Sequence, residues 1–100
     1  MDIEVNWSPA AVEDLEAIAE YVAKDSVFYA GSLVARFMAV CRVLTEFPYS
    51  GRVVPEIGEP ELRERLVFSY RLVYRVDDNK ILVVVVLHGK RLLDNIEDRL

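Results

Sequence analysis

The chain opens on a regular alternation of apolar and polar residues. Ile3, Val5 and Trp7 alternate with acidic or amide residues, which is the period of a half-buried β-strand. Ser8–Pro9 then favours a helix start, with serine as the N-cap and proline at the first helical position. Apolar residues follow at helical spacing, at Ala11, Leu15, Ile18 and Val22. The pattern predicts a strand that leads directly into a first helix.

A second helix is predicted from just after Asp25–Ser26 to about Glu46, where Pro48 ends it. Its main apolar stripe consists of Leu33, Phe37, Val40 and Leu44. Val34, Met38 and Cys41 widen the stripe, so this helix is apolar on more than one face. Cys41 is the single cysteine, which excludes an intramolecular disulfide and a cysteine-cluster zinc site. We interpret it as a small core residue.

The second half of the chain shows the pattern of strands and turns. Residues 47–60 hold three of the four prolines and two of the four glycines, and are predicted to form a loop. Residues 77–80 favour a turn. Ile81–Leu87 is apolar throughout, as in a strand buried on both faces at the centre of a sheet. Residues 90–100 are predicted to form a short amphipathic helix.

Between the loop and the turn, residues 63–76 separate basic from apolar side chains by strand parity. Odd positions carry Arg63, Arg65, Arg71 and Arg75, and even positions carry mainly leucine, tyrosine and valine. In an extended chain these sets point to opposite faces, so one face is predicted to present four guanidiniums. A tight turn near Phe68–Ser69 would split the segment and leave the facing of its first half open. Arginine forks suit phosphates or carboxylates.

These elements predict one α+β domain over residues 1–100. A helical hairpin packs on one face of a mainly antiparallel sheet, formed by the N-terminal strand and a three-stranded antiparallel meander. The chain is 53% hydrophobic and carries a net charge of −5, which disfavours disorder and non-specific binding to nucleic acid. The start of the chain lacks the apolar run of a signal peptide, and no apolar stretch is long enough for a membrane span, so we expect a cytoplasmic protein.

Together these pieces resemble the RelE/ParE superfamily of toxins from type II toxin–antitoxin systems, also called plasmid stabilisation proteins. The resemblance spans nearly the whole chain and is carried by Trp7-Ser8-Pro9, Asp14-Leu15 with Ile18 and Tyr21, Pro48 with 51–56, Arg63-Glu64, 70–76 and 87–91. It implies growth inhibition by the free toxin and a protein antitoxin as partner. It leaves two targets open, because RelE-like members cut mRNA on the ribosome and ParE-like members inhibit DNA gyrase without being enzymes.

The nuclease alternative would use Glu56, Arg71 and His88, by their match to the glutamate, arginine and histidine of some nuclease members. Glu56 in a polar loop is more simply explained as a solvated or ion-paired carboxylate. His88 at a strand end is more often a hydrogen-bonded structural residue than a catalyst. Counted without gaps from Arg71, His88 sits one residue early, which would turn it to the opposite face. Some nuclease members also use a tyrosine near the C-terminus, and no tyrosine follows His88 in this chain. Other nuclease members rely on several basic residues, here Arg63, Arg65, Arg71, Arg75, Lys90 and Arg91.

The gyrase alternative is favoured by the acidic net charge, by the His-Gly-Lys-Arg sequence at 88–91 and by the missing tyrosine. Its effector surface would be Leu87–Arg91 with the charged tail. Arg52 is a further candidate for phosphate contact. An inactive family member that only binds antitoxin is the third alternative. Antitoxin contacts are predicted at Val34 and Met38, and at Arg71 and Arg75 facing an acidic segment. No metal, organic cofactor or small-molecule substrate is expected.

Overall fold

The computed structural model describes residues 3–91, 93 and 99 of the 100-residue chain. The short helix predicted over 90–100 falls largely on residues outside that description. The described elements are β1 (Glu4–Trp7), α1 (Pro9–Ala23), α2 (Val27–Glu46), β2 (Arg52–Val53), β3 (Leu62–Val67), β4 (Tyr70–Asp77) and β5 (Lys80–His88).

Both helices begin at the residues that the sequence predicted. The Ser8 hydroxyl accepts the N–H of Ala11 at 3.1 Å, and Pro9 is the first residue of α1. The Ser26 hydroxyl accepts the N–H of Tyr29, also at 3.1 Å. Each serine satisfies a backbone donor that the first turn of a helix leaves without a partner. The two N-caps therefore fix where the helical hairpin starts and where it turns.

The five described strands form one sheet in the order β1-β5-β4-β3-β2. β1 pairs with β5 in parallel, and the other pairs are antiparallel. The predicted α+β fold is confirmed, with the helical hairpin on one face of a mainly antiparallel sheet. One element is additional: within the predicted loop over 47–60, β2 pairs with Arg63 and Glu64 of β3. β5 lies between β1 and β4, as its uniform apolar sequence predicted.

Each face of the sheet has its own apolar core. The helix face buries side chains of both helices against β4 and β5, including Phe37, Leu44, Leu72, Tyr74 and Val83. The outer face is covered by the loop before β3, and it buries Val54, Leu62, Val73, Val84, Val85 and Leu87, with Ile57 and Leu93 packed against them. Cys41 lies in the helix-face core, in agreement with its interpretation as a small core residue.

Within the described part of the chain, α2 is long and apolar enough to cross a membrane by length and composition, with a mean hydropathy of 1.6. Its buried residues, Leu33, Phe37, Val40 and Leu44 among them, pack against the sheet. That position is the ordinary one for the core helix of a small α+β domain.

The two-residue turn at Phe68–Ser69 overturns the prediction of four arginines on one face. Val67 pairs with Tyr70 across this turn, so odd residues of β3 stand opposite even residues of β4. Directly paired residues share a face. Arg63 and Arg65 therefore lie on the helix side of the sheet, and Arg71 and Arg75 lie on the outer side, in the other half of the hairpin. Phe68 adopts a φ of 53° in this turn.

A β-bulge in β5 decides where His88 faces. Leu82 pairs with Arg75 on the outer face, and strict alternation from Leu82 would carry His88 to that same face. The register shifts by one residue between Val73 and Tyr74, where β5 accommodates an extra valine. His88 then pairs with Tyr70 and faces the helix side, while Leu87 pairs with Arg71. Arg71 and His88 thus lie on opposite faces of the sheet.

Candidate functional site

A cleft of about 360 Å³ opens on the outer face, at the end of the sheet where β5 finishes. Four basic side chains and one carboxylate line it, from three parts of the chain: β2 with the segment after it, the start of β4 and the residues after β5. The lining consists of Arg52, Pro55, Glu56, Arg71, Gly89, Lys90 and Arg91. The cleft therefore unites five of the residues that the sequence proposed for target binding or catalysis.

Arg71 lies at the floor of this cleft and is only 4% exposed. Its Nη1 and Nη2 atoms each donate to a different oxygen of Glu56 at 2.7 Å. Its Nε and Nη2 atoms donate to one oxygen of Glu64, and Nη1 also donates to the backbone oxygen of Arg91 at 3.1 Å. These five contacts use all five N–H donors of a guanidinium. Arg71 is thus held by the protein's own acceptors, and the prediction that it is presented as an open cation is wrong.

Glu64 is the residue of the site that the sequence reasoning missed. It is 2% exposed, and its second oxygen accepts from Nε of Arg52 at 2.6 Å. The carboxylate therefore bridges a buried arginine and an exposed one. The strand parity of residues 63–76 set Glu64 apart from Arg71 by placing it among the apolar even positions. The Phe68–Ser69 turn, if taken as a two-residue hairpin loop, would have placed Glu64 on the face of Arg71.

The ion pair between Glu56 and Arg71 fixes the charge of both groups. Hydrogen bonds from Arg71 lower the pKa of Glu56 from 4.5 to about 2. The same hydrogen bonds from the guanidinium to Glu56 raise the pKa of Arg71 above its ordinary range. Bidentate pairing of arginine with a carboxylate is among the strongest charge-assisted contacts in proteins. At neutral pH Glu56 is a fully ionised carboxylate with little tendency to accept a proton.

The segment that carries Arg52 and Glu56 is anchored to the sheet through Gly51. The Gly51 N–H donates to the Tyr74 hydroxyl at 3.0 Å, and that hydroxyl donates to the Pro48 oxygen at 2.8 Å. A Cβ atom at Gly51 would lie 2.5 Å from the backbone oxygen of Glu64. Glycine is therefore required by this close approach of two backbone segments.

Arg63 and Arg65 support the same segment from the other side of the sheet. Arg63 donates to the backbone oxygens of Pro60 and Gly51, and Arg65 donates to the hydroxyl of Ser50. The sequence proposed both arginines for phosphate contact, but the structure does not bring them into the cleft. They tie together the two ends of the loop that precedes β3.

Arg75 also lies away from the cleft. It is on the outer face, four residues further along β4 than Arg71, which corresponds to about 13 Å. Its Nη2 atom lies 3.6 Å from an oxygen of Glu59, and both side chains are partly exposed. Arg71 and Arg75 thus have separate surroundings, one buried and one at the surface.

His88 contacts a different groove, on the helix side of the sheet. Its ring meets Tyr70 edge to face, with centroids 5.7 Å apart. The Lys90 N–H donates to its Nδ1 atom at 3.2 Å. The structure therefore brings Glu56 and Arg71 together but does not add His88 to them. Across the described residues, no group of three histidine, cysteine or acidic side chains is placed to hold a metal ion.

The candidate antitoxin residues of α2 are partly accessible. Met38 is 36% exposed, whereas Val34 is half-buried. Apolar side chains of the two helices are also exposed around the turn between them, at Tyr21, Val27, Phe28 and Tyr29. This aromatic surface was not singled out from the sequence, because tyrosine and phenylalanine near a helix start fit a core position equally well.

Comparison with known proteins agrees with this fold and this order of residues. Residues 5–93 match the family described as the ParE toxin of type II toxin–antitoxin system, parDE. The chain is 31% identical over 90 residues to toxin RelE2 of Caulobacter vibrioides (strain ATCC 19089 / CIP 103742 / CB 15), across 89% of this chain and 98% of that protein.

Two solved structures share the fold. The chromosomal ParDE toxin–antitoxin system from P. aeruginosa gives a TM-score of 0.71 at 20% identity, over 88% of this chain and 97% of that one. The toxin–antitoxin complex RelBE2 from Mycobacterium tuberculosis gives 0.55 at 21% identity, over 88% and 99%. From the family match over most of its length, this chain belongs to the ParE toxin family of type II toxin–antitoxin systems.

Proposed function

We propose that this toxin stops growth by binding DNA gyrase and inhibiting it, without cleaving RNA. The observation that carries the proposal is the state of Arg71, whose five donors are all taken by Glu56, Glu64 and the backbone of Arg91. An arginine that stabilises the charge of a reacting phosphate must keep donors free for it. Here those donors are already engaged by the chain itself.

The other requirements of RNA cleavage point the same way. Metal-independent cleavage needs a base for the 2′-hydroxyl proton and an acid for the leaving oxygen. Glu56, with its pKa lowered to about 2 by Arg71, is a weak base at neutral pH. His88 faces the other side of the sheet, where it meets Tyr70. The described residues therefore offer no assembled base, cation and acid.

The rim of the cleft is suited to binding an acidic surface. Arg52, Lys90 and Arg91 are exposed there, in a chain whose net charge is −5. Such a local basic surface on an acidic body favours a specific protein contact over general attachment to RNA phosphates. Leu87 is buried in the outer-face core and His88 faces the helix side of the sheet. We therefore assign gyrase contact to Lys90 and Arg91 at the rim of the cleft.

The second candidate is a RelE-like, ribosome-dependent mRNA endoribonuclease. It is supported by the 31% identity to toxin RelE2 and by the direct contact of Glu56 with Arg71. In that case the ribosome or mRNA would have to separate the pair, so that the arginine reaches phosphate and the carboxylate becomes a base. An inactive member that only binds antitoxin is the remaining alternative.

A toxin of this class has an antitoxin as its protein partner. We place the antitoxin on α2 around Val34 and Met38, extending to the exposed apolar residues near the helical turn, with an acidic segment reaching Arg75. Arg71 is removed from this proposed contact surface, because it is 4% exposed and neutralised within the chain. Both the antitoxin and gyrase act in the cytoplasm, and we propose that location for the toxin.

Induced expression without antitoxin separates these functions. DNA and protein synthesis are pulse-labelled in parallel early after induction, and mRNA ends are mapped in the same cells. The proposal predicts that DNA synthesis stops first. If translation stops first and new mRNA ends appear, the endoribonuclease is the correct function. Unimpaired growth with folded toxin present would identify an inactive member.

A further inference from the structure

Two residues that follow β5, Arg91 and Leu93, are held by side chains of the cleft. The Arg71 Nη1 atom donates to the backbone oxygen of Arg91 at 3.1 Å, and the Glu56 Oε2 atom accepts the backbone N–H of Leu93 at 3.3 Å. The ion pair thus binds one carbonyl and one amide that lie two residues apart. A neighbouring β-strand would satisfy the same two groups in a sheet.

The side chain of Leu93 strengthens this attachment. It is partly buried against the outer-face core, which also receives Ile57 from the loop that carries Glu56. Backbone polar groups near an apolar surface need partners, because leaving them unpaired costs free energy. The carboxylate and the guanidinium supply those partners while Leu93 stays packed on the core.

A second attachment lies at Arg99. Its Nη1 and Nη2 atoms donate to the Asp14 carboxylate of α1, at 2.5 and 3.2 Å, and Nη1 also donates to the backbone oxygen of Val84 at 3.2 Å. Asp14 accepts the backbone N–H of Val86 as well, at 3.0 Å. β1 pairs with β5 only as far as Val83. Asp14 and Arg99 therefore hydrogen-bond with the backbone of β5 at Val86 and Val84, beyond the part that pairs with β1.

We propose that Glu56 and Arg71 are positioning residues, which fix the backbone at Arg91 and Leu93 so that Lys90 and Arg91 meet gyrase in one orientation. Arg99 is held separately, by Asp14 of α1. This role explains why the hydrogen-bonding groups of Glu56 and Arg71 are occupied by the chain itself. It also explains why the pair lies beside the proposed gyrase-binding surface. The role in target binding rests on the proposed function, but the attachment itself can be measured without any target.

Amide hydrogen exchange of the intact toxin tests the attachment. In Glu56→Ala the Leu93 amide should exchange about tenfold faster, since it loses a hydrogen bond to a charged group. Core amides of β4 and β5 should keep their wild-type rates, which shows that the fold persists. Glu59→Ala is the matched control, because Glu59 lies in the same loop and pairs with Arg75 instead. Unchanged exchange at Leu93 in Glu56→Ala would overturn the proposal.

Inhibition of gyrase supercoiling tests the consequence. The toxin concentration for half-inhibition should rise about tenfold in Glu56→Ala and stay at the wild-type value in Glu59→Ala. Faster Leu93 exchange with wild-type inhibition would refute the role in target binding. If the wild-type toxin itself leaves gyrase unaffected, the proposed function fails, and the exchange rates still decide the attachment. Glu56→Gln serves as a second variant, with the same direction of change, if Glu56→Ala folds poorly.

Discussion

Removing the buried carboxylate of Glu64 should destabilise the fold strongly. Its side chain is 1% exposed and accepts from both Arg71 and Arg52. Glu64→Ala leaves the Nε donor of Arg71 without its partner inside the protein. Deleting one member of a buried ion pair costs about 3–5 kcal/mol. Because Glu56 still neutralises Arg71, we expect the lower end, about 3 kcal/mol.

Urea unfolding at pH 7, followed by circular dichroism, measures this loss. For a domain of this size, about 3 kcal/mol also corresponds to a fall of roughly 12–24 °C in Tm. Glu59→Ala removes an exposed carboxylate that pairs with Arg75 at 3.6 Å, and should cost less than about 1 kcal/mol. The comparison contrasts a buried glutamate that contacts two arginines with an exposed glutamate that pairs with one.

A double variant tests the cause. Glu64→Leu with Arg71→Met removes both buried charges, and should be less destabilised than Glu64→Leu alone, because no buried guanidinium is left short of partners. A loss below about 1 kcal/mol in Glu64→Ala, equal to that of Glu59→Ala, would refute the argument that a buried ionic network holds this end of the sheet.

Three further predictions concern single residues. The pKa of Glu56 is about 2 in the folded chain and 4.5 ordinarily, so its ion pair stabilises the fold fully above pH 4.5 and loses this effect as pH falls toward 2. Glu56→Gln should flatten that part of the curve of unfolding free energy against pH, and an unchanged slope would contradict the assignment. Gly51→Ala should cost about 1–3 kcal/mol in urea unfolding, because its Cβ would lie 2.5 Å from a backbone oxygen. Gly31→Ala, in the second turn of α2 with nothing within 4 Å, should instead gain about 0.5–1 kcal/mol, and equal effects would disprove the close approach. His88→Ala should leave growth inhibition in induced cells at the wild-type level, and a loss of toxicity with folded protein would favour the nuclease.

Much of the fold could be predicted from local sequence signals. Ser8–Pro9 and Ser26 fix both helix starts through side-chain hydrogen bonds to nearby backbone groups, and such contacts depend only on adjacent residues. The apolar run in β5 identified a central strand because both of its faces are covered. The helix starts depend on adjacent residues, and the central strand is marked by its apolar composition. Both kinds of signal can be found in a single sequence.

The facing of the site residues could not be predicted in the same way. Odd and even positions in residues 63–76 would point to opposite faces throughout only if the segment were one continuous strand. Because of the two-residue turn at Phe68–Ser69, odd residues of β3 share a face with even residues of β4. The turn has φ of 53° at a phenylalanine, rather than the glycine or asparagine that usually marks such turns. The bulge in β5 lies within a run of four valines, where every residue has the same character. No pattern of apolar and polar residues marks a shift there.

The turn at Phe68–Ser69 explains the errors in the candidate site. Arg63 and Arg65 were grouped with Arg71 by parity, and Glu64 was set apart from it. With the turn placed correctly, Glu64 joins Arg71 on the outer face and the two other arginines move to the helix face. Of the four arginines, Arg71 belongs to a buried ion network and Arg63 and Arg65 support a loop. Arg75 lies at the surface beside Glu59.

Gyrase supercoiling in the presence of purified toxin is the decisive measurement of whether this chain inhibits gyrase. Relaxed plasmid, gyrase and ATP are incubated with increasing amounts of the wild-type chain, and the same titration is repeated with its antitoxin added. We expect supercoiling to be lost as the toxin concentration increases and to be restored by antitoxin. Unaffected supercoiling, with the same preparation cutting mRNA on ribosomes, would contradict it and make the Glu56–Arg71 pair a closed form of a nuclease site.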